Sequence, residues 1–145
     1  MRNMNEELLE AWLRLSIMIN NERLVSDMPY NEALICNILY RNQKREPGKN
    51  MTATDLCNET RMLKSQMNRT LNSLEEKKVI KRQRSEQDKR QILIYLNEEQ
   101  SDIYNRQHEK ILELLGTVVE KFGKDRTSEI ITLFTMISDT LEGVM

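Results

Sequence analysis

Residues 61–96 read RMLKSQMNRTLNSLEEKKVIKRQRSEQDKRQILIYL, and the hydrophobic period changes inside them. Leu63, Met67, Leu71 and Leu74 follow one another at helical spacing and form one stripe of an amphipathic helix. Rotating 100° per residue from Met67 puts Ser65, Arg69 and Asn72 on the far side, with Lys64, Gln66 and Asn68 flanking them. Beyond Lys77 the period drops to two. VIKRQR reads as a strand, SEQDK as a loop, and RQILIYL as a return strand in which Ile92, Ile94 and Leu96 alternate. The segment is therefore a helix with a polar, basic face followed by a hairpin with a basic tip.

Immediately upstream, MTATDLCNET places Thr52 and Asp55 three apart, as in a capping box, with room for only about eight helical residues. A short helix, a tight break and a longer helix with a polar face make a helix-turn-helix pattern. Further out, Leu8, Trp12, Leu15 and Ile19 stripe a first helix over about Glu6 to Leu24. Pro29 then opens a second helix, whose apolar side is Ala33, Leu34, Ile35, Ile38 and Leu39, and Pro47-Gly48 ends it. On the other side, Asn97 with Glu98 and Glu99 suits a helix start. Ile103, Ile111, Leu115, Val118 and Phe122 keep helical spacing until Gly123, and a last helix carries Ile130, Leu133, Phe134, Ile137, Leu141 and Val144. The expected fold is mainly α with a small β-hairpin. The terminal helices hold more apolar surface than a central domain of this size covers, so a homodimer is expected.

Composition bounds the function. The chain has 145 residues, 31% of them charged, with a formal net charge of −1. That neutrality conceals a segregation. Residues 41–90 hold 14 lysines and arginines against seven acids, whereas the flanks hold eight basic residues against 16 acidic ones. A basic centre between acidic ends points to a polyanionic partner for the centre. Two cysteines, Cys36 and Cys57, are too few for a disulfide scaffold and read as small buried hydrophobes, with a thiol sensor as the lesser alternative. The first residues lack a signal-peptide pattern and no window approaches a membrane span, so a cytoplasmic protein is expected. One histidine (His108), no Gly-rich phosphate loop and no Cys/His cluster at ligand spacing leave no catalytic, metal or cofactor residues to name.

Residues 51–97 also resemble the winged helix-turn-helix core of the MarR family of bacterial transcription regulators. The resemblance is carried by Thr52, Asp55 and Leu56, then Met67, Arg69, Leu71, Leu74, Glu75 and Lys77. It continues through Val79, Ile80, Arg82, Asp88-Lys89-Arg90 and Leu96-Asn97. On this resemblance residues 1–145 form one domain: 30–97 are the winged core, and 1–28 and 98–145 are dimerisation helices. Three positions depart from the pattern. Thr60-Arg61 stand where relatives usually have Gly and a Leu. Leu63 stands where an Asp or Ser often begins the recognition helix, and Lys78 replaces the usual Gly past its end.

The resemblance implies a homodimeric, sequence-specific repressor of a pseudo-palindromic double-stranded DNA operator, released by a small aromatic or anionic effector. Trp12, Met18, Met28, Tyr30 and Tyr104 are available to line an effector cleft, with ordinary core as the blander reading of each. Lys64, Ser65, Gln66, Asn68 and Arg69 would face the major groove, where such side chains pair with base edges. Arg90 would make the wing-tip contact, with Arg82, Arg84 and Lys89 attracting phosphates. Asp88 would orient Arg90, although the residues alone fit a solvated loop acid equally. The alternative function is a protein-interaction module of the same fold without specific DNA binding.

Overall fold

The computed structural model describes residues 3–21, 28–100 and 102–145. Helices α1 (Met4–Ile19) and α2 (Tyr30–Arg45) are followed by strand β1 (Met51–Thr52) and helices α3 (Ala53–Thr60) and α4 (Lys64–Glu76). Strands β2 (Ile80–Arg84) and β3 (Ile92–Leu96), a single 3₁₀ turn at Glu98–Gln100 and helix α5 (Asp102–Val144) complete the chain. Two compact units are distinguished, one running to His108 and the other from Glu109 to Met145.

The core of the first unit lies where α2, α3 and α4 meet the sheet. Ile35, Leu56, Met67, Leu71, Leu74, Val79 and Ile80 are fully buried there with Met28, and Tyr104 joins them. The helical stripe read in the sequence at Met67, Leu71 and Leu74 is thus the inward face of α4, while Leu63, counted in the same stripe, lies outside it, before the first helical residue. The capping box at Thr52 forms as expected. The Thr52 hydroxyl accepts from the Asp55 amide at 3.2 Å, and the Asp55 carboxylate accepts from the Thr52 amide at 3.0 Å.

One local reading changes. The hairpin is part of a three-stranded antiparallel sheet in the order β1-β3-β2, because Met51 pairs with Ile94 and Thr52 with Leu93. A two-residue strand carries no alternation, so its partner cannot be read locally. Asn97, expected to open the following helix, directly precedes the 3₁₀ turn and is buried as well. Its amide donates to the Val79 carbonyl at 2.8 Å and its side chain to the Lys78 carbonyl at 3.0 Å, which ties β3 to the end of α4. The first helix ends at Ile19 with Asn20 as its C-cap, and residues 22–24 of its expected extent lie outside the described residues.

Both turns around α4 use left-handed backbone without glycine: Arg61 has φ 64° and Lys78 φ 63°. That conformation costs an L-residue about 1–2 kcal/mol, more than the ~0.4–1 kcal/mol that glycine's extra freedom costs through the unfolded chain. Lys78→Gly should therefore raise stability by about 0.5–1 kcal/mol, read as a higher urea midpoint at unchanged slope.

Cys36 is fully buried, and desolvation, with the nearby Glu32 carboxylate adding to it, pushes its thiol up to about 12. A thiol held protonated is a poor nucleophile. In the folded protein Cys57 should react with a disulfide reagent while Cys36 reacts only after denaturant is added.

No residue of α1 is buried; Leu8, Trp12, Leu13 and Ile17 are all exposed. In the second unit the helix breaks at Gly123, whose φ 80° and ψ 167° lie in a region open essentially to glycine alone. Exposed apolar residues stand on both sides of the break, among them Leu115, Phe122, Phe134 and Ile137. Among the described residues no helix is long and apolar enough to cross a membrane.

Candidate nucleic-acid interface

With Met67, Leu71 and Leu74 buried, the opposite face of α4 is left to solvent. Lys64, Ser65, Asn68 and Arg69 are exposed and Gln66 is half-buried. The five residues expected to face a groove thus share one helix, four of them open to contact. These are hydrogen-bonding side chains on a rigid element, the kind that reads base edges and phosphates.

The other expected contacts are on the hairpin, where they divide into two kinds. Arg82, on β2, is half-buried and turned back onto α4. Its Nη2 donates to Asn72 Oδ1 at 2.6 Å and to Glu75 Oε1 at 2.9 Å. This guanidinium braces β2 against α4, so its expected role of attracting phosphates competes with two acceptors already in place. Arg84 is exposed, but its Nη1 donates to the Lys89 carbonyl and closes the base of the loop. Within that loop the Gln91 amide donates to the Asp88 carbonyl at 2.9 Å, and the Ser85 hydroxyl accepts from the Asp88 amide at 3.2 Å. Lys89 and Arg90 stand out at the tip, the Arg90 side chain 93% exposed.

Asp88 does not point away as a free loop acid. Its Oδ1 accepts from the Arg90 amide at 3.1 Å and from Arg90 Nε at 3.3 Å. The ring so formed fixes how the Arg90 side chain leaves the backbone while its Nη groups remain available. In this exposed setting the ion pair contributes little to stability. Its effect is on direction.

The residues that position α4 from below were not visible in the sequence. Glu32 of α2 is buried, and its carboxylate accepts from Lys77 Nζ at 2.8 Å and from the Ser73 hydroxyl at 3.4 Å. Together with the Arg82 brace, these bonds hold the C-terminal half of α4 from two directions. The pairs are separated by 41 and 45 residues, so no local pattern announces them.

The Arg82 hydrogen bond holds the Glu75 carboxyl below its ordinary value of 4.5. A lowered carboxylate stabilises the fold above its unfolded-state value and loses that contribution as pH falls through the folded-state value. The brace should therefore be intact at neutral pH and open in acid. A carboxyl-carbon NMR titration of Glu75 should show a midpoint below 4.5 that returns toward it in Arg82→Ala.

His108, the lone histidine, is half-buried with its ring 5.4 Å from that of Tyr104 and 6.2 Å from that of Tyr40. The effector-cleft candidates do not share one environment: Met28 and Tyr104 are core, while Trp12, Met18 and Tyr30 are exposed.

Known proteins of the same fold include three crystal structures. Staphylococcus aureus MepR in a DNA-binding conformation has a TM-score of 0.74 at 18% identity, covering 96% of this chain and 99% of that one. The S. aureus MepR–DNA complex has a TM-score of 0.73 at 18% identity, covering 97% and 99%. Streptococcus pneumoniae FabT in complex with DNA has a TM-score of 0.72 at 18% identity, covering 97% and 96%. Compared by sequence with curated proteins, the chain matches none. The fold expected from residues 51–97, a MarR-type winged helix-turn-helix, is the one observed. The family model described as transcriptional regulator SarA/Rot matches residues 19–107, more than half the chain, and the protein belongs to that family of winged-helix transcriptional regulators.

Proposed function

We propose that this regulator acts as a homodimer that binds a pseudo-palindromic duplex operator and represses transcription until a small aromatic or anionic effector releases it. The observation that carries the DNA-binding part is the exposed polar face of α4 braced by Arg82 to a wing with an oriented arginine at its tip. Lys64, Ser65, Gln66, Asn68 and Arg69 enter the major groove. Arg90, aimed by Asp88, reaches the backbone or the adjacent minor groove, with Arg84 and Lys89 adding phosphate attraction and Arg82 holding the wing in place. The surplus of seven positive charges over residues 41–90 supports the same partner.

The dimer is supported by the exposed apolar stripes of α1 and of the segment from Glu109 onward, as terminal helices covering a second copy. Two-fold pairing would set the recognition helices about one DNA turn (~34 Å) apart, and an effector would act by changing that spacing.

The test is affinity for the DNA upstream of its own gene, measured from low to high salt with competitor duplex present. A specific regulator gives a steep negative log–log slope and withstands the competitor. Weak binding indifferent to sequence would favour the interaction-module alternative. Sedimentation should give twice the chain mass, and Gln66→Ala should relax base preference at one operator position.

A further inference from the structure

Leu63 is the most exposed large apolar side chain between Tyr30 and Leu96, at 73%. It occupies the N-cap of α4 with φ −66° and ψ 148°, and its side chain makes no capping hydrogen bond. Ser, Thr, Asp or Asn would satisfy an otherwise open backbone amide at this position. Nor does the fold need an apolar residue here for packing. The preceding Met62 already packs against the cluster containing the buried Met67, the fourth residue of α4, as in a hydrophobic staple. Adjacent apolar residues thus part company, Met62 inward and Leu63 outward. The outward one weakens the helix start and leaves an aliphatic group in water. Local rules broken without a packing return mark functional positions.

The position says which function. Leu63 directly precedes Lys64 and Ser65, both exposed, and a recognition helix contacts base edges with its N-terminal residues. Base-pair edges in the major groove are hydrogen-bonding groups with one aliphatic exception, the C5-methyl of thymine. We propose that Leu63 is a specificity residue that packs on a thymine methyl in each operator half-site. This inference rests on α4 being the recognition helix.

The experiment uses an operator selected from random duplexes and replaces each thymine of a half-site in turn by deoxyuridine, which removes only the methyl. Full-length wild-type protein, Leu63→Ala and Leu63→Ser are compared. In the wild type, one substitution should weaken binding about fourfold per half-site, the worth of one buried methyl. Leu63→Ala should bind the thymine operator more weakly by a similar factor and be indifferent to the same substitution. Leu63→Ser should show the same indifference while unfolding at a higher urea concentration, because it restores a cap. A purely structural Leu63 would give equal losses on thymine and deoxyuridine operators, and that result overturns the proposal. So does equal methyl sensitivity at every position in wild type and Leu63→Ala. If no duplex is selected at all, the DNA-binding reading itself falls and takes this inference with it.

Discussion

Replacing Arg90 by alanine should weaken binding to every duplex by about tenfold per subunit, the worth of one charge-assisted contact to phosphate or groove edge. The loss should be nearly uniform across operator sequences and should flatten the salt slope by ~1 per subunit, because a phosphate-directed cation carries little sequence information. Fold stability should not change, since the Arg90 side chain is 93% exposed. Asp88→Ala separates charge from direction. It removes the acceptor for the Arg90 amide and Nε but leaves the cation, so the salt slope should persist while specific affinity falls by less than in Arg90→Ala. Fluorescence anisotropy over a salt series measures both. Unchanged affinity in Arg90→Ala would remove the wing from the interface.

The second large effect concerns the support beneath α4. Lys77→Met should destabilise the fold by about 2–3 kcal/mol, because it leaves the buried Glu32 carboxylate, among the described residues, with only the Ser73 hydroxyl, 3.4 Å away. Glu32→Gln should cost less, about 1 kcal/mol, because the Lys77 side chain is 38% exposed and can turn to water. The two losses should not add. With both charges gone no buried ion is left unpaired, so the double variant should be more stable than Lys77→Met alone. Urea unfolding of the four proteins gives the cycle. Additive losses would mean that the pair acts independently and that α4 is positioned by packing alone.

Much of this was legible along the chain because the information is local. The alternation from period 3.6 to period two at the end of α4, the Thr52–Asp55 box and Gly123 as a break each depend on neighbours a few residues away, and each appears in the structure. The exposed face of α4 follows from the same periodicity: once Met67, Leu71 and Leu74 face the core, Ser65 and Arg69 must face out. The charge segregation is likewise a property of the sequence alone.

Other features required the chain to be folded. Nothing at Arg82 distinguishes a free cation from one holding Asn72 and Glu75, and nothing at Glu32 foretells Lys77, because hydrogen bonds across such separations arise only when helices and sheet pack. Strand β1 exists only because β3 offers it an open edge, and Asn97, besides preceding the 3₁₀ turn, donates its side-chain amide to the Lys78 carbonyl far back in the chain. Periodicity is short-ranged and survives in one dimension. Which polar group satisfies which other is settled by burial, where an unpaired donor or acceptor costs too much to leave alone.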